Sequence, residues 1–437
     1  MAIKILQLIA SLSLLVFIHE LGHFCFAKLF KTRVEKFYLF FNPWFSLFKF
    51  KKGETTYGIG WLPVGGYVKI AGMIDESMDR EQMKRLAEPW EFRSKPAYQR
   101  FLIMFGGVFF NFILALMIFS MSLMHWGEEY LSVKDAQYGI YCDSLALSTG
   151  LQNGDIITKI GNKKVEKFTD IMLNILTEND NRVEILRNQQ IQTIKVSYAV
   201  KQKIIASGDQ MFIQPFIPFI IDSVLPGSAA STTCLQKGDE IVAINGVETP
   251  AFYDFSKEVK LLKYKKTKVS YIRNRERNDV ELSVSKEGTI GVAVRSPDKI
   301  FKFSKIEYSF LQSFPAGFTK GISTLSDYVK QMKLVFTPEG AKQVGGFASI
   351  GSLFPVFWDW QIFWGMTAFL SIVLAFMNIL PIPALDGGHI VFVLYEIITH
   401  RKPSDNFLEK AQLVGMAILF TLLIYANGND LMRFLIK

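Results

Sequence analysis

The sequence predicts a polytopic α-helical membrane protein of four transmembrane helices, interrupted by a soluble, β-rich insert. Three observations lead there. Long apolar runs lie near both ends of the 437-residue chain. The middle is polar and repeats itself at a constant offset. Half of all residues are apolar and only 20% are charged, a balance tilted away from ordinary soluble domains.

The spans come first. A bilayer core takes about 20 mostly apolar residues in helical form. The first such run covers residues 5–30. Lys4 precedes it as in a secretory leader, but the apolar pattern runs past His19 and Glu20 to Phe30, longer than a leader needs. The second span covers residues 101–124 and the third 363–380. A proline-rich break and another apolar stretch, 389–398, follow the third. The fourth covers 413–425 and extends in both directions. Four spans put both ends of the chain on one side. Lys28, Lys31, Arg33, Lys36, Lys49, Lys51, Lys52, Arg93, Lys95 and Arg100 lie between spans one and two, and Arg401 and Lys402 between three and four. The positive-inside rule turns those loops to the cytoplasm and the 130–300 insert to the opposite side. The same residues account for much of the net charge of +9. No basic run is interleaved with exposed aromatics and no nucleic-acid fold signature occurs, so no nucleic-acid partner is expected. Cys25, Cys142 and Cys234 form neither a disulfide framework nor a zinc-knuckle spacing.

Within the insert, Leu151, Gln152, Gly154, Asp155, Ile157 and Ile160 recur as Leu235, Gln236, Gly238, Asp239, Ile241 and Ile244, and Phe168 and Asp170 as Phe252 and Asp254. This is a tandem of two like domains. In each, Gly-Asp opens a short strand, a turn follows at Gly161 or Asn245-Gly246, and a helical stretch comes next. Val224, Pro226, Gly227 and Ser228 ahead of the second motif complete a pattern that resembles the PDZ domain; the first copy, with Asp143 to Gly150 in the equivalent loop, is more diverged. The resemblance implies capture of extended peptides at a sheet edge, or a steric filter that keeps the fold alone.

The strongest local signal is His19, Glu20 and His23. Positions i and i+4 share one helix face, so both imidazoles reach one metal ion. Glu20 is placed to take a proton from the water that attacks a carbonyl. These ionisable groups sit inside an apolar span, where they are costly and mark function by default. Zinc catalysis needs a third protein ligand and an open position. His125 belongs at the far membrane surface and His400 in a loop. His389 stays open. Asp386 is the better candidate, since it follows a helix break at Pro381 and Pro383 and precedes Gly387 and Gly388. Non-helical backbone at membrane depth is tolerated where it lines a cavity.

Taken together, the two motifs resemble those of the site-2 proteases, intramembrane zinc proteases. Four spans and the tandem insert resemble the regulator-of-sigma-E protease branch over nearly the whole chain. The resemblance implies His19, His23 and Asp386 as ligands of one zinc ion and Glu20 as general base. It implies substrate-holding roles for Asn378, Pro381, Pro383, Gly65 and Gly66. From about Tyr57 the cytoplasmic loop, with Gly65-Gly66-Tyr67-Val68-Lys69, reads as short β-strands that re-enter the membrane edge. Single-pass membrane proteins would be the substrates, such as anti-sigma factors or remnant signal peptides, in a bacterial inner membrane. One departure is Gly106-Gly107 before Asn111, where the family has Gly-Pro. The expected organisation is a membrane segment over 1–125, with spans one and two; two PDZ-like domains over 126–208 and 209–300; a linker over 301–361, with an amphipathic helix at 311–336 and an aromatic anchor at 347–364; and a closing membrane segment over 362–437, with spans three and four.

Overall fold

A computed structural model describes residues 2–63, 65–73, 86–207 and 212–436. The chain forms two compact units, one from the chain up to Gly127 and from Glu307 onward, the other from Glu128–Ile306. The expected boundary at 208/209 lies outside the described residues.

Among the described residues, the first unit holds four helices long and apolar enough to cross a membrane. They are α1 (Ala2–Leu29), α2 (Ala97–Trp126), α4 (Trp360–Ile379) and α6 (Asp405–Ile436). Two further helices accompany them, α3 (Phe310–Val335) and α5 (Asp386–Thr399). Ile5, Leu6, Phe17, Met117, Met121, Leu423 and Ile424 are exposed, as lipid-facing side chains would be. Inside, α1 and α2 approach closely. A Cβ on Gly22 would stand 2.2 Å from the Gly106 carbonyl oxygen, and one on Gly106 would stand 2.6 Å from that of Gly22. Small residues at such crossings let backbones touch, the main source of helix association where lipid is as apolar as leucine.

The amphipathic helix expected at 311–336 is α3. Its small face is Ser313, Gly317 and Gly321, all buried and spaced four apart. Gly317 and Gly321 lie against Ser120 and Leu116 of α2, at distances that leave no room for a Cβ. The helix is therefore packed against a membrane helix, which its sequence pattern as a surface linker does not convey. Trp358, Trp360 and Trp364 cluster with Phe363 at the start of α4.

Between α1 and α2 lies a four-stranded sheet: β1 (Val34–Leu39), β2 (Phe41–Lys52), β3 (Thr55–Leu62) and β4 (Tyr67–Ile70), in the order β2-β3-β1-β4. It begins at Val34, well before the expected Tyr57. Pro43 and apolar residues at both odd and even positions of β2, Phe45 and Leu47 against Trp44, Phe48 and Phe50, hide the alternation that marks a strand. Trp44, Phe45, Leu47, Phe48 and Phe50 of that strand are exposed.

The second unit contains two β-rich repeats. Strands Gln190–Lys195, Arg182–Arg187 and Ile156–Ile160 follow one another in the first sheet; Glu276–Ser283, Lys266–Arg273 and Glu240–Ile244 do so in the second. The repeated Gly-Asp has a physical reason. Asp155 Oδ2 accepts from the Gln152 backbone N–H at 2.8 Å, and Asp239 Oδ2 from Gln236 at 2.8 Å, each closing a turn. Each buried carboxylate then pairs with an arginine two strands away in sequence, Arg187 or Arg273, at 2.7 Å. Asn245 and Gly246 both take positive φ, the turn that their sequence predicts. All three cysteines are free.

Candidate metal centre

Helix α1 puts His19 and His23 one turn apart on the face that meets α2 and α5. Their Nε2 atoms are 3.2 Å apart. Asp386 Oδ2 lies 3.1 Å from Nε2 of His19 and 3.4 Å from that of His23. The three side chains are 12%, 9% and 14% exposed in chain order. They form a group of donors fit for one metal ion.

The donor set fits zinc. Ligand atoms about 2.0–2.1 Å from one tetrahedral zinc stand about 3.3–3.4 Å from one another. The observed separations match that spacing closely. Apart from the two imidazole nitrogens, the buried Asp386 Oδ2 accepts no hydrogen bond. A buried carboxylate oxygen without a donor is costly unless a cation serves it. His23 Nδ1–H donates to the Ile103 carbonyl oxygen at 2.8 Å, which leaves Nε2 with its lone pair toward the centre.

Asp386 owes its position to the break after α4. Pro381 and Pro383 have no N–H to continue the helix. Ala384 takes φ +81°, and its N–H donates at 3.1 Å to Gln412 Oε1 of α6. Asp386 then opens α5 as its first residue. Gly387 and Gly388 follow because a Cβ there would collide with the Leu380 carbonyl oxygen and with Pro383. An ion pair between Arg100 of α2 and Glu396 fixes the other end of α5.

A cavity of about 720 Å³ adjoins the centre, lined by His19, Glu20, His23, Asn378, Asp386 and His389, by Gly66 and by all of β4. Of the expected site residues, it gathers the metal triad, Glu20, Asn378 and Gly66. Pro381, Pro383 and Gly65 are not among its lining residues. The two prolines shape the break, and Gly65 faces the Phe41 ring. His389 lines the cavity and stands outside the three-donor group. Reading the sequence does not reveal Ile103 as the partner of His23, nor Gln412 as the support of the break. Both act across helices, and no local spacing announces them.

The profile of peptidase family M50 matches residues 7–422. Relatives span the chain end to end. One from Borreliella burgdorferi is 28% identical, with 98% of each chain covered. One from Rickettsia conorii is 25% identical, with 98% of each covered. One from Campylobacter jejuni is 26% identical, with 99% of this chain and 94% of the relative covered. All three bear the name "Putative zinc metalloprotease". The family match over nearly the whole chain and the relatives' shared name make the protein a zinc metalloendopeptidase. The chain belongs to peptidase family M50.

Proposed function

We propose that this protein is an intramembrane endopeptidase that cuts membrane-spanning segments of other proteins, as the regulator-of-sigma-E branch does. The carrying observation is the position of the His19, His23 and Asp386 group. It lies between apolar helices, beside a cavity that Glu20 also lines. His19, His23 and Asp386 would hold the zinc, and Glu20 would be the general base. When bound, zinc supplies Lewis acidity, which polarises a carbonyl and makes water a better acid. Glu20 accepts the proton of the attacking water and is placed to return it to the departing amine.

A helical segment hides its carbonyls and must be opened before attack. Among the described strands β4 is a sheet edge, and all four of its residues line the cavity, which supports pairing with an extended substrate segment. Asn378 and Gly66 would contact that segment, while Gly65, Pro381 and Pro383 would shape its surroundings. The repeats in Glu128–Ile306 act as a tandem PDZ pair on the extracytoplasmic side. In the second, Val292–Val294 is an edge strand, open to peptide addition. The expected division at 125/126, 208/209, 300/301 and 361/362 belongs to this reading, with the metal centre toward the cytoplasm of a bacterial inner membrane. Fitting substrates are single-pass remnants such as trimmed anti-sigma factors or signal peptides.

The test is cleavage of a tagged single-span substrate by purified protein in detergent. Wild type should cut, and Glu20→Gln should not while keeping its zinc. Zinc-loaded wild type that cuts none of several single-span substrates, yet cuts soluble peptides, would overturn the intramembrane reading.

A further inference from the structure

Both metal-facing imidazoles are held from one face of α2. Ile103, Gly107 and Asn111 are spaced four apart and therefore line up. A Cβ on Gly107 would sit 2.5 Å from His19 Cε1 and 2.6 Å from His23 Nε2, so the α2 backbone runs directly beside both rings. Ile103 fixes His23 through Nδ1. Asn111 is the corresponding neighbour of His19. It is fully buried, and its carboxamide Nδ2 lies 3.2 Å from His19 Nδ1. Its Oδ1 is buried without a partner.

The orientation of that amide selects the tautomer of His19. With Nδ2–H donating to Nδ1, the imidazole proton sits on Nε2, directed at His23 Nε2 and Asp386 Oδ2. A proton there occupies the place of the metal. Half a turn of the carboxamide exchanges its oxygen and nitrogen with little change in shape. The oxygen then accepts from Nδ1–H, and Nε2 offers its lone pair to the centre. Either orientation leaves one amide atom without a partner, so the amide alone is nearly indifferent and the coordination bond decides.

We propose that Asn111 is the positioning residue for His19: its carboxamide turns as metal binds, accepts the Nδ1–H, and holds Nε2 as a ligand. This rests on His19 being a ligand, as proposed above. It makes α2 a template that orients both imidazoles, His23 through a backbone carbonyl and His19 through a side chain that can reverse.

The experiment measures zinc affinity by chelator competition, and the absorption of the Co²⁺-loaded protein, for wild type, Asn111→Asp and Asn111→Leu. The two variants differ little in size; only Asp retains an acceptor for Nδ1–H. Outer partners of metal-bound histidines are worth about 10–100-fold in affinity. Asn111→Leu should therefore bind zinc about 10–100-fold more weakly with an altered Co²⁺ spectrum, and Asn111→Asp should stay within about threefold of wild type. Wild-type affinity in Asn111→Leu overturns the proposal. Equal losses in both variants also overturn it, because they point to packing alone. Wild type that binds no zinc overturns the ligand assignment and this inference with it; zinc-binding wild type with an indifferent Asn111→Leu overturns only the inference.

Discussion

Gly22 offers the sharpest lever on the metal centre without touching a ligand. Gly22→Ala adds one methyl group beside the Gly106 carbonyl oxygen at 2.2 Å, about 1.2 Å short of ordinary contact at 3.4 Å. The obstacle is backbone in the middle of α2, which has no rotamer to change. The helices must separate by roughly that distance. Overpacking of this kind costs about 1–3 kcal/mol of stability. The chemistry suffers more. His19 and His23 ride on α1, while α2 and α5 are tied through Arg100 and Glu396. Moving α1 by about 1 Å takes the 3.1 and 3.4 Å His–Asp separations beyond the roughly 3.3–3.4 Å that one tetrahedral zinc spans. A misplacement of about 1 Å at a reacting centre costs about 100-fold in rate. The assay compares zinc affinity, cleavage rate and thermal unfolding for Gly22→Ala and for Gly365→Ala, whose Cβ meets nothing within 4 Å. The control should be unchanged or slightly more stable. Gly22→Ala should lose zinc affinity and about 100-fold in cleavage. Full zinc affinity and full activity in Gly22→Ala would refute the helix-contact reasoning.

Other outcomes follow from the same geometry. Ala384→Gly should be tolerated or stabilise by about 1 kcal/mol, because glycine takes φ +81° freely, whereas Ala384→Val should weaken zinc binding; equilibrium metal titration reads both. Gln412→Leu removes the acceptor for the Ala384 N–H and should loosen the Asp386 loop, seen as faster zinc release to a chelator. Arg273→Leu strands the buried Asp239 carboxylate and should lower the thermal unfolding temperature of the insert. Burial, with Asp155 and Asp143 nearby, pushes the Cys142 thiol up to about 12. Its thiolate is then scarce at neutral pH and grows only as pH rises toward that value, so maleimide labelling of the folded protein at pH 7 should spare Cys142.

Much of this was legible in the residues. Spans read from hydropathy fall on α1, α2, α4 and α6 because lipid demands long apolar helices and little else. His19, Glu20 and His23 share a local spacing, and Asp386 stands beside an unmistakable helix break. What escaped is what depends on neighbours far along the chain. Strand β2 carries apolar residues on both faces, so its period of two vanishes. The small face of α3 reads as a weak amphipathic pattern until Leu116 and Ser120 are set against it. Ile103 acts through a backbone carbonyl, which no residue type encodes. Gln412 and Ala384 meet across 28 residues, and neither is unusual alone. In the insert, the Gly-Asp repeat was visible, but its arginine partners Arg187 and Arg273 sit at a different offset and were not.

The most direct measurement is zinc K-edge X-ray absorption on the purified protein, with metal content determined for wild type, Asp386→Ala and His389→Ala. One zinc per chain is expected, with two imidazoles and oxygen donors at about 2.0–2.1 Å. His389→Ala should leave that spectrum intact, and Asp386→Ala should strip or reshape the site. A third imidazole that disappears in His389→Ala, or a centre indifferent to the loss of Asp386, would contradict the His19, His23 and Asp386 assignment.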